Sequence, residues 1–142
     1  MKVSTSAIWL QIASALAILF GVFSVLASFP PTQGGWLLLF DLLKWPIDGD
    51  PASFDVTGRA LNAVLGGVLI GWGTLMFFLV RHLFPSNEVS LRKVLLASVI
   101  SWFVFDSAGS CLAGFPGNVI LNVGFLIVFV PPLVFVKRSV TS

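Results

Sequence analysis

The sequence is short of most of what a soluble enzyme is built from. Charged residues make up 10% of its 142 positions, where a soluble domain typically carries about 25%. A single cysteine, Cys111, excludes an internal disulfide and a cysteine-only zinc site, and a single histidine, His82, leaves metal chemistry poorly supplied. Eight Lys and Arg against six Asp and Glu give a net charge of +2, too little to hold nucleic acid by charge. There is no phosphate-binding loop, dinucleotide fingerprint, paired-histidine haem site or zinc motif. No cofactor and no metal is expected.

What is present is apolar: 57% of the chain. Residues 7–29, 58–80, 94–113 and 117–136 form runs with few strongly polar members, each near the ~20 residues of helix that cross a bilayer. The first run also resembles a secretory signal peptide, with Lys2 ahead of it and Val25-Leu26-Ala27 as a cleavage-like site. Its apolar length exceeds the usual ~7–15 residues of such a peptide and favours a retained helix. The expectation is one domain over residues 1–142, an all-α integral membrane four-helix bundle with one long connection, residues 30–57.

Basic residues in short loops stay on the cytoplasmic side. Lys2, Arg81, Arg92, Lys93, Lys137 and Arg138 fall on one side of the four runs and only Lys44 and Arg59 on the other. Both termini are therefore expected in the cytoplasm, with Asp41, Asp48, Asp50 and Asp55 in the outer loop. That loop contains Trp36-Leu-Leu-Leu-Phe-Asp-Leu-Leu-Lys-Trp45, at about 15 Å of helix too short to span. It reads as a short interfacial amphipathic helix anchored by Trp36 and Trp45, either a lid over the bundle or a packing segment. The acidic stretch after it lacks the ligand spacing of a calcium loop and reads as turn chemistry.

Asp106 is the costly residue, since a carboxylate inside a span carries a penalty of about 2.5–3.5 kcal/mol on insertion scales. Counting up from Lys93 at ~1.5 Å per residue places it in the outer third of the hydrocarbon. Ser107 and Ser110 accompany it, while Arg59 and Asn62 on the second run and Asn118 and Asn122 on the fourth reach the same depth. These seven residues are expected to converge on one outer-leaflet pocket, as structural glue with Asp106 paired to Arg59 or capped by amides, or as a ligand or proton site. Gly66, Gly67, Gly71 and Gly73 mark a helix-packing stripe containing Gly67-xxx-Gly71, with Trp72 and Trp102 filling the space opposite. Pro131-Pro132 remove two amide donors, free the carbonyls of Ile127 and Val128, and imply a kink or early end. His82 lies at the opposite end of the bundle from Asp106 and Ser110, so no nucleophile and base meet.

The stretch Trp102-Phe-Val-Phe-Asp-Ser-Ala-Gly-Ser110, followed by Gly114, Asn118 and Asn122, together with Gly66-Gly-Val-Leu-Ile-Gly-Trp-Gly73, resembles small four-helix bacterial inner-membrane proteins that have no assigned activity. The resemblance covers about residues 36 to 136 and implies a fold and a bacterial inner-membrane location, not a reaction. The functional expectation is a non-enzymatic membrane subunit or binding protein, its pocket centred on Asp106. The alternative is a small proton-coupled carrier using Asp106, as a dimer. Expected partners are membrane lipid and a membrane protein or second copy, with no nucleic acid.

Overall fold

The computed structural model describes residues 1–45, 47–50 and 53–136. Pro46, Pro51 and the basic pair Lys137-Arg138, used above for turn chemistry and orientation, lie outside the described residues. Among the described residues the secondary structure is helical, with no strand: α1 Val3–Ala27, α2 Gly34–Leu43, α3 Val56–Leu112, α4 Asn118–Phe129 and α5 Pro131–Val134. α1 and α3 are long and apolar enough to cross a membrane.

α1 has no internal breaker and ends before Pro30. Phe29 is already extended at φ −103°, ψ 119°, as the steric demand of a following proline requires. α3 starts on a side-chain cap, the Asp55 carboxylate accepting from the Gly58 N–H at 2.6 Å. It is not one rod. Pro85 removes a backbone donor, and Asn87 leaves helical geometry at φ −140°, ψ 46°. A straight helix would hold Trp72 and Trp102 about 45 Å apart, yet their rings lie 6.0 Å apart and the Trp72 indole donates to Ser98 Oγ at 3.4 Å. α3 is therefore a helical hairpin folded at residues 86–88, inside the segment expected to be a loop.

The hairpin closes on two stripes of one-turn spacing, Met76, Val80 and Phe84 facing Leu91, Leu95 and Val99, all buried. α1 runs antiparallel against the first half of α3 at near-backbone contact. A Cβ on Gly66 would lie 2.6 Å from the Gly21 carbonyl oxygen, and one on Gly73 would lie 2.9 Å from the Ser14 carbonyl oxygen. The stripe expected from the sequence thus divides. Gly66 and Gly73 face α1, whereas a Cβ on Gly67 or Gly71 meets nothing within 4 Å. It is α1, not Trp72 and Trp102, that fills the space opposite the packing glycines.

The double proline acts as expected, and one of the two carbonyls it frees finds a donor. α4 stops at Phe129, Val130 bridges to α5 in helical geometry, and the Val128 carbonyl that Pro132 leaves free accepts from the Trp9 indole at 2.9 Å. Arg92 ties the end of α5 to the hairpin tip, donating to the Leu133 carbonyl at 2.6 Å and to Glu88 at 3.3 Å. The Met1 ammonium donates to the Phe135 carbonyl at 2.6 Å. The N-terminus, the hairpin tip and the end of α5 therefore share one end of the bundle with Lys2, Arg81, Arg92 and Lys93. The acids Asp41, Asp48, Asp50 and Asp55 gather at the other end. Leu112 is 91% exposed and Phe105 79%, while Ser6, Ser14, Ser24, Asn62 and Asn122 are buried.

Candidate functional site

The turn between α3 and α4 builds the polar cluster. α3 ends with Gly114 in left-handed geometry at φ 82°, the Phe115 N–H returning to the Ser110 carbonyl at 2.8 Å and the Gly114 N–H to the Cys111 carbonyl at 3.1 Å. This glycine-dependent cap stops α3 sharply, and α4 restarts within four residues, laying its first two turns back along the last two of α3. Asn118 and Asn122, one turn apart, then face Asp106, Ser107 and Ser110.

The Asn122 amide donates to Asp106 Oδ2 at 2.7 Å and to Ser107 Oγ at 3.0 Å. The Asn118 amide donates to the same Oδ2 at 3.2 Å and to Ser110 Oγ at 2.8 Å. Both amides serve one carboxylate oxygen; Oδ1 accepts no hydrogen bond from any described residue. The structure brings these five expected site residues together and leaves two elsewhere. Arg59 donates to the Phe54 carbonyl at 3.0 Å and does not pair with Asp106. Asn62 bonds the Gly58 carbonyl at 3.1 Å, and its own carbonyl accepts from Ser24 at 3.0 Å, so it joins α3 to α1. Arg59 and Asn62 thus spend their polar groups on other neighbours, Phe54 and α1.

Asp106, Ser110, Asn118 and Asn122 form the polar wall of a cavity of about 430 Å³, otherwise lined by apolar and aromatic side chains including Trp36, Phe40, Trp72, Trp102, Phe105 and Phe115. Among the described residues no Lys, Arg or His lines it. This is the character of a ligand pocket, largely apolar with a few convergent polar groups. Trp36 is buried, with its indole N–H unpartnered, and it packs on Phe20 and Phe23 at 5.2 and 5.0 Å. The expectation of an interfacial anchor therefore fails for Trp36, which points inward, while Trp45 is exposed. The aromatic walls were missed by reading polar residues alone; the signal available was the one-turn spacing of Trp36 and Phe40, which puts both on one face.

α2 separates two spaces. Its Trp36, Leu39, Phe40 and Leu43 face the polar cavity, and its Gly35, Leu38, Leu39 and Leu42 face an apolar groove of about 770 Å³ between α1 and α4. The helix is held there by a bond from the Gly117 N–H to the Leu43 carbonyl at 3.1 Å and by Phe40 against Phe115 and Phe54. After α2, Asp48 accepts from the Asp50 N–H at 3.0 Å across Gly49, which has φ 73°. Burial, followed by hydrogen bonding to and the charge of Asp48, raises the Asp41 carboxyl above its ordinary value. The Asp50 N–H, the bond with Asp41 and the charge of Lys44 hold Asp48 below its own. Of the pair, Asp41 therefore holds its proton to the higher pH.

No family model, no curated protein and no solved structure matches this chain.

Proposed function

We propose that this chain is a small multi-pass protein of the bacterial inner membrane, both termini cytoplasmic, that binds a ligand non-enzymatically in an outer-leaflet pocket centred on Asp106. The observation that carries the reading is the half-satisfied carboxylate: among the described residues Oδ2 takes two amide donors, Oδ1 takes none, and no cation lines the cavity. A residue serving only as glue would be expected to spend both oxygens on the bundle, whereas the partly buried Asp106 leaves one open. Trp36, which also lines the cavity, carries a second uncommitted polar group, a buried indole N–H without a partner.

The membrane reading draws on the inverted distribution of polarity, with serines and asparagines inside and Leu112, Phe105 and Val56 outside, and on the separation of basic from acidic ends. The folded hairpin supplies two antiparallel crossings from α3, which with α1 and the α4–α5 unit makes four. The proton-coupled carrier remains the second reading, favoured by the absence of a cationic partner for Asp106 within the cavity. Native mass spectrometry from a mild non-ionic detergent, on wild type and Asp106→Asn at neutral and acid pH, tests the proposal. A retained small molecule lost in the variant supports binding. An empty protein indifferent to the substitution removes the pocket reading.

A further inference from the structure

The polar cavity and the apolar groove are neighbours rather than separate sites. Phe20, Leu39, Leu121 and Phe125 line both, so the partition is made of apolar side chains, with Phe20 and Phe125 in edge contact at 5.5 Å. One end, on the polar side of that partition, holds Asp106 with a free oxygen, walled by Trp36, Trp72 and Trp102. The other end is a hydrocarbon trough in which Gly124 leaves open space.

Resting on the pocket reading above, we infer that the ligand is a cationic amphiphile, an ammonium head on one alkyl chain, with the head beside Asp106 and the chain in the groove along Gly124. An ammonium supplies the positive charge the cavity lacks, and indole faces are the preferred partners of alkylated ammonium groups. An anionic head would meet an unneutralised carboxylate and no basic side chain. A head without a chain would leave the groove to bulk lipid.

Dodecyltrimethylammonium, tetramethylammonium and dodecyl sulfate are suitable probes, since their charges do not titrate. Binding is measured by native mass spectrometry and by quenching of tryptophan emission, in non-ionic micelles, on the full chain. Dodecyltrimethylammonium should bind about tenfold more tightly than tetramethylammonium, a modest factor because lipid tails compete for the same chain. Dodecyl sulfate should not bind. Asp106→Asn should weaken both cations. Gly124→Leu, which fills the groove away from the polar cluster, should reduce the long-chain cation to the level of the short one and leave the short one unchanged. Equal affinities for the two cations, or no effect of Gly124→Leu, overturn the amphiphile while the Asp106 pocket stands. Dodecyl sulfate binding as well as its cationic counterpart also overturns it. If neither cation binds the wild type, or Asp106→Asn binds both as well as the wild type does, this inference and the pocket reading fall together.

Discussion

Asn122 reaches across from α4 to place its amide 2.7 Å from Asp106 Oδ2 on the last turns of α3, the shortest of the four amide contacts in the cluster. Asn122 is itself fully buried. Asn122→Ala removes the stronger of two donors to a partly buried carboxylate. We expect a loss of about 1–3 kcal/mol, measured by reversible unfolding in mixed micelles. Asn118→Ala should cost less, because its contact with Oδ2 is longer, and the two losses should not simply add.

The glycines offer a paired test. Gly66→Ala drives a methyl into the Gly21 carbonyl, where backbone cannot yield cheaply, and should destabilise by about 1–3 kcal/mol. Gly67→Ala places its methyl in open space and should change stability by no more than about 1 kcal/mol in either direction. Equal effects at the two positions would contradict the α1–α3 interlock.

Trp9→Phe keeps the ring but leaves the Val128 carbonyl without its donor. A loss of about 0.5–1.5 kcal/mol is expected, and it should vanish when Pro132→Ala restores a backbone N–H to that carbonyl. The double variant read by thermal unfolding checks this.

The acidic loop gives a pH signature. Asp41, raised, contributes stability that is full below its ordinary value of 3.8 and lost as pH rises through its folded value. Asp48, lowered, contributes stability that is full above 3.8 and lost as pH falls through its folded value. The seat of α2 should therefore be firmest near the ordinary carboxylate range and loosen on both sides. Asp41→Asn, which keeps a donor for Asp48, should flatten the alkaline limb of a melting-temperature profile, and Asp48→Asn the acid limb.

For orientation, Ser53→Cys and Ser86→Cys, each in a Cys111→Ser background, occupy opposite ends of the bundle and are exposed. In intact spheroplasts a membrane-impermeant maleimide should label the first and spare the second. The reverse pattern would invert the proposed topology.

The helices, their number and their inverted polarity were legible in the chain because apolar run length and the placement of a few charges are one-dimensional properties. So were the fate of Pro131-Pro132 and the grouping of Asp106 with Ser107, Ser110, Asn118 and Asn122, since Gly114 and a short turn force the end of α3 and the start of α4 together. What sequence depth could not supply was azimuth. Counting residues puts Arg59 and Asn62 at the level of Asp106, yet their helix turns them toward Phe54 and toward α1. Gly67 and Gly71 carry the familiar four-residue spacing, but Gly66 and Gly73 are the pair that α1 meets. The inward rotation of Trp36, and the placing of α2 between a polar cavity and an apolar groove, arise from contacts between residues distant in the chain. Which face of an apolar helix turns inward is decided by its neighbours, and only the packed bundle supplies them.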